Sequence, residues 1–239
     1  MKIEIWSDFA CPFCYIGKRR LEIALNNFPH KDNVKIIYKS FELDPNTSLS
    51  TDKNIHEIIA GKYGMSVEEA QQANQNIIDQ AKEVGLNYDF ENLKPTNTFS
   101  AHRLAKFAET KGLLAEMTER LLQAYFIEGK IISDHDTLAE LASEVGLDKE
   151  EVVDVLGSNQ YSEIVRGEER EASSLGVQGV PFFVINRKYA VSGAQHPKVF
   201  LDTLNKIWEE ENKKSPLQTL TPDNSGTTCS TDGCEIPRK

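Results

Sequence analysis

Cys11 and Cys14 stand two residues apart in Cys11-Pro12-Phe13-Cys14. On the first turn of a helix, cysteines at that spacing can bring their sulfurs within bonding distance. Such a pair opens and closes, as dithiol and disulfide, without moving the backbone. At a helix N-terminus the unpaired N–H groups and the positive end of the dipole favour thiolate over thiol. Cys11 is therefore expected to be the attacking sulfur, acidified and accessible. Cys14, one turn inside and more buried, then attacks the mixed disulfide formed on Cys11 and releases the reduced substrate, or runs the reverse path for oxidation. Pro12 suits an early helical position, where its missing N–H costs little. The same residues also read as inert buried thiols or as half of a zinc site. Zinc, however, wants about four ligands, and the other close pair, Cys229 and Cys234, lies at the far end of the chain without metal-ligand spacing. No metal and no bound cofactor are expected, because the cysteines carry the electrons themselves.

The elements that must hold this pair are readable from periodicity. Lys2 to Ser7 alternates as a strand, Asp8-Phe9-Ala10 makes a turn, and a helix runs from about Cys11 to Asn27 with Ile16, Leu21, Ala24 and Leu25 on or near its apolar side. Asn33 to Phe41 alternates again, so the chain opens with a βαβ unit. From Ser48 to Asn159 only helical periods occur, over His56–Tyr63, Ser66–Val84, Thr98–Lys111, Leu113–Ile127, Asp136–Val145 and Lys149–Gly157. Ser66-Val67-Glu68-Glu69 is a capping box, and Asp148 an N-cap. A helix over Tyr161–Leu175, a hairpin of Phe182–Ile185 and Tyr189–Ser192, and a helix from Pro197 to Asn212 follow. Each sheet-forming flank alone lacks strands to bury its faces. The expectation is one α/β domain, residues 1–47 and 160–212, interrupted by an all-helical insertion at 48–159, with 213–239 read as a flexible tail.

Composition narrows the classes. A formal net charge of -10, from 37 acidic and 27 basic residues, gives a nucleic-acid phosphate backbone nothing to bind. No apolar run is long enough for a membrane span, and the strand-like start is not a signal peptide h-region, so no membrane association and a cytoplasmic location are expected. Four cysteines in 239 residues are too few for a disulfide scaffold.

Gly179-Val180-Pro181-Phe182 places a proline at the mouth of a strand, where a cis Val180–Pro181 bond is the favoured reading. Taken together, Trp6-Ser7-Asp8-Phe9-Ala10-Cys11-Pro12-Phe13-Cys14 after a strand, a helical insertion, and Gly-Val-Pro before a hairpin resemble the DsbA family of thiol–disulfide oxidoreductases. Phe41-Glu42-Leu43, Asn97-Thr98-Phe99 with His102-Arg103, and Ser192-Gly193-Ala194-Gln195 resemble its cytoplasmic FrnE-like branch. The resemblance spans about Lys2 to Trp208. It implies a thioredoxin-like fold in which the loop at Val180 and Pro181 faces the cysteines and an extended substrate segment adds as a strand beside Val180. Protein or small-molecule thiols and disulfides are the implied partners, served by a monomer or homodimer in oxidoreductase or isomerase work. A second reading is a glutathione-dependent isomerase or transferase like the related 2-hydroxychromene-2-carboxylate isomerases, which carry serine in place of the pair. Both cysteines are present here, which argues against it. A third is a redox sensor that cycles without turnover.

Further residues are candidates for the same site. Cys229-Ser-Thr-Asp-Gly-Cys234 fits a small loop disulfide that exchanges with Cys11 and Cys14, or an incidental pair. His102 and Arg103 line the cleft between insertion and sheet, or merely cap a helix. Phe9, Phe13, Phe182 and Phe183 offer an apolar rim, although one of the last two must be core. Glu42 is either a buried carboxylate that shuttles the Cys14 proton or an ordinary strand-end glutamate. His30, His56, His135 and His196 show no ligand spacing.

Overall fold

Strand β1, Lys2–Ser7, is buried along Ile3, Glu4, Ile5 and Trp6, so both of its faces are covered and it must sit inside a sheet. The computed structural model describes residues 1–212 and the backbone of 229–230 and 233–234. It places β1 between β2, Lys35–Ser40, and the hairpin β3, Phe182–Ile185, and β4, Tyr189–Ser192, in the order β2-β1-β3-β4. β1 and β2 are parallel, from Lys2 opposite Lys35 to Ser7 opposite Ser40, and α1, Pro12–Asn26, is the crossover between them. β3 runs antiparallel to β1, with Trp6 opposite Phe182. Two chain segments that are distant in sequence are thereby joined at one sheet end. The residue before Phe182 is Pro181, and the residues after Trp6 lead to Cys11, so this register brings the proline to the cysteines.

One sheet face, carrying Ile3, Ile5, Phe183, Ile185 and Val191, packs on Leu21, Ala24 and Phe28 of the α1 region. Phe200, Leu204 and Ile207 of α9, Pro197–Asn212, complete that core. The other face, with Trp6 and Val184, meets Ala172 of α8, Ser162–Ser174, and Val177. Trp6 Nε1 donates to the Glu168 carbonyl of α8 at 3.0 Å.

The insertion is helical as expected: α2 (Ile55–Tyr63), α3 (Val67–Lys82), α4 (Phe99–Thr110), α5 (Leu114–Phe126), α6 (His135–Glu144) and α7 (Lys149–Leu156). Ser66 with Glu69 forms the anticipated capping box, and the Asp148 side chain accepts from the Glu151 N–H. Leu104, Met117, Leu121, Leu138 and Val152 fill its core, and Phe9, Tyr15 and Ile16 join the same cluster. The insertion is therefore packed onto the segment that bears the cysteines. No helix among the described residues is long and apolar enough to cross a membrane. In the tail, Cys229–Ser230 and Gly233–Cys234 pair as antiparallel two-residue strands with Cys229 opposite Cys234. The side chains of Cys229 and Cys234 lie outside the described residues.

Candidate active site

Cys11 is the N-cap of α1 and Pro12 its first helical residue. Cys14 therefore lies one turn in, and its amide donates to the Cys11 carbonyl at 3.0 Å. Both cysteines are thiols. Burial pushes the Cys14 thiol well above its ordinary range, and the neighbouring Cys11 sulfur pushes it the same way. Hydrogen bonds from Ser7 and from the Asp8 amide pull in the opposite direction. Cys14 is thus held toward the protonated thiol. Cys11 is only 4 % exposed, which corrects the expectation of an open nucleophile. The reason is the proline loop: Cys11 Sγ donates to the Val180 carbonyl at 3.5 Å, next to a Val180–Pro181 bond that is cis.

Two hydrogen bonds hold that loop and the segment after β4 beside it in place. The Gly193 amide donates to the Pro181 carbonyl at 2.8 Å, and Arg20 of α1 donates to the Ala194 carbonyl at 2.6 Å. Gly17, on the α1 face toward the loop, leaves room for the Pro181 ring. On the insertion side, Tyr88 donates through its hydroxyl to the Pro12 carbonyl at 2.7 Å. Its ring stacks on Phe90 and Phe126 at 5.6 and 4.8 Å, which fixes it as part of the insertion core. The cysteine turn is held from both domains.

Beneath it lies Asp8, a residue that sequence reasoning treated only as part of a turn. Its amide donates to Cys14 Sγ at 3.5 Å and its carbonyl accepts from the Cys11 amide at 3.2 Å. Its carboxylate accepts from the Leu43 amide at 2.8 Å and from the Ala10 amide at 3.4 Å, and His102 Nε2 lies 3.3 Å away. His102 is thus brought to the site, buried rather than lining an open cleft.

Arg103 is not brought there. It turns to the end of α7, where it donates to the carbonyls of Gln160 at 2.8 Å, Leu156 at 3.5 Å, Val155 and Ser158. The alternative of a helix-capping side chain is the correct one for this residue. Phe9 is likewise corrected: it is buried, its ring 4.7 Å from that of His102, and forms no substrate rim. Phe13 is half-buried against the insertion core, Phe183 is the core member of its pair, and Phe182 packs with Val180, Phe41 and Trp6. Glu42 is buried and ion-paired to Arg166. Burial pushes its carboxyl up, against Arg166 and His102, which pull it down. The largest influences on Cys14 are burial, Cys11, Ser7 and Asp8.

A family model described as the DSBA-like thioredoxin domain matches residues 2–205. An uncharacterized protein of Bacillus subtilis, YwbO, is 30% identical over 214 residues, covering 89% of this chain and 98% of its own. Among solved structures, the probable DsbA oxidoreductase SCO1869 from Streptomyces coelicolor is 40% identical, with a TM-score of 0.85 and full coverage of both chains. A 2-hydroxychromene-2-carboxylate isomerase shares the fold at 16% identity and TM-score 0.67, over 90% of this chain and 100% of its own. The cytosolic disulfide reductase DsbM from Pseudomonas aeruginosa does so at 17% and 0.63, over 88% and 100%.

Proposed function

The chain belongs to the DSBA-like thioredoxin domain family, and from that premise we propose that it is a thiol–disulfide oxidoreductase in which Cys11 captures a substrate disulfide and Cys14 resolves the adduct. One observation carries this reading. Cys11 Sγ rests against the Val180 carbonyl beside Pro181, while Cys14, pushed toward the thiol, lies one turn below it. In reduction, the Cys11 sulfur attacks one sulfur of the substrate disulfide and the other leaves as a thiol. Cys14 then gives up its proton and displaces the captured sulfur, and two electrons have passed from the pair to the substrate.

The substrates are extended protein segments or small-molecule disulfides. Strand addition beside Val180 would serve the first class, because main-chain hydrogen bonds there need no particular sequence. The name of DsbM, a cytosolic disulfide reductase of the same fold, favours reductase or isomerase work in the cytoplasm over net oxidation. Cys229 and Cys234 assist by exchanging with the main pair, since a tethered dithiol has a high effective concentration there. Every group named comes from one chain, so the reading serves a monomer or a homodimer.

An insulin-reduction assay with dithiothreitol tests it. Wild type should accelerate precipitation, and Cys11→Ser should not. If Cys14→Ser retained full activity toward a glutathione-dependent isomerisation, the isomerase reading would replace this one.

A further inference from the structure

The backbone of Asp8 touches both cysteines: its amide meets Cys14 Sγ at 3.5 Å and its carbonyl holds the Cys11 amide at 3.2 Å. Its carboxylate is gripped from three separate segments. Leu43 donates from the loop after β2, Ala10 from the turn itself, and His102 reaches in from α4 of the insertion at 3.3 Å. Asp8 and His102 are each 2 % exposed, so nothing from solvent substitutes for these contacts.

We propose that His102, acting through Asp8, is a positioning residue for the resolving step. The His102–Asp8 contact fixes the orientation of the turn whose amide faces Cys14 Sγ, and so sets the rate at which Cys14 displaces a captured substrate. The inference rests on the thiol–disulfide reading of the pair.

The chemistry locates the effect on one step. When Cys14 attacks, its S–H proton departs, a bond forms between Cys14 Sγ and Cys11 Sγ, and the bond between Cys11 and substrate breaks. The substrate sulfur leaves as a thiolate and takes up a proton. The resulting disulfide is returned to the dithiol by an external thiol, dithiothreitol in the assay. Burial disfavours the Cys14 anion that this step needs, and the Asp8 amide is one of the groups that favour it. An N–H held in place does this without reorganising, whereas one on a loosened turn must first be oriented. The first capture, by Cys11, makes no use of that amide. Because His102 belongs to the insertion and Cys14 to the sheet domain, the inserted helices act on the chemistry and not on packing alone.

The test uses the reduced full-length protein and an aryl disulfide that releases a coloured thiolate twice, once on capture by Cys11 and once on resolution by Cys14. His102→Ala should slow the second release about tenfold or more and leave the first within about twofold. His102→Gln, whose side-chain amide can still donate to Asp8, should lie closer to wild type. If the second release in His102→Ala kept its rate, if both releases slowed together, or if His102→Gln were as slow as His102→Ala, the proposal would be overturned. Should His102→Ala fail to fold, Asp8→Asn must show the same selective slowing, and an unaltered second release there is equally contrary. Loss of the first release in wild type would instead sink the thiol–disulfide reading itself.

Discussion

Gly17 and Pro181 meet across the site: a Cβ at residue 17 would stand 3.0 Å from Pro181 Cγ and 3.4 Å from Ala194 Cβ. Glycine inside a helix ordinarily costs about 0.5–1 kcal/mol relative to alanine. Here that cost leaves room for the proline loop to reach Cys11. Gly17→Ala should therefore fail to stabilise, and Gly17→Val should destabilise by about 1–3 kcal/mol through overpacking. Both should lower insulin reduction by pushing Val180 away from Cys11. Thermal melts beside the assay check it, and a more stable, fully active Gly17→Ala would refute it.

Tyr88→Phe removes the hydrogen bond to the Pro12 carbonyl and keeps the ring stack. A loss of about 1 kcal/mol is expected. Turnover should fall with it, since the cysteine turn loses one of its anchors to the insertion. Denaturant unfolding and steady-state rates read the two effects separately.

Arg103→Met leaves the carbonyls at the end of α7 without their donor. Stability should drop by about 2–4 kcal/mol. Activity per folded molecule should hold, because Arg103 faces away from the cysteines. A selective loss of activity at unchanged stability would return it to the site.

Glu119 joins α5 to α1 through Lys18 at 2.5 Å, Tyr15 at 2.5 Å and Arg19. Burial opposes its ionisation, but hydrogen bonds from Lys18 and Tyr15 together with the Lys18 and Arg19 charges outweigh burial and hold the carboxyl below its ordinary value. A depressed carboxylate contributes stability that is complete above its unfolded value, about 4.3, and is lost as pH falls through the folded one. Glu119→Gln should thus melt lower than wild type at neutral pH. The two melting curves should converge on acidification below about pH 4.3. A constant gap down to low pH would contradict the linkage.

Much of this architecture was legible because it is written in short-range patterns. The Cys-x-x-Cys spacing, the hairpin, the proline at the strand mouth and the capping box at Ser66 are local chemistry, and each stands where the residues placed it. The supporting groups were not legible, because they act across the chain. Tyr88 comes from the irregular stretch between α3 and α4, which has no period to read, and Asp8 meets His102 only after folding. Gly17 looks like any helical glycine until the proline loop is laid against it. Phe9 sits in a turn, where alternation says nothing about facing. His102 and Arg103 adjoin in sequence, yet successive helical residues point about 100° apart, so the first meets Asp8 beneath the cysteines and the second the end of α7.

The central claim, that Cys11 captures and Cys14 resolves, is tested most directly by mass spectrometry of Cys14→Ser after incubation with a disulfide-containing peptide. A stable mixed disulfide mapped to Cys11 is predicted, while wild type under the same conditions should carry only the Cys11–Cys14 bond. Absence of any adduct on Cys11, or ready capture by Cys14 in the Cys11→Ser variant, would contradict the account.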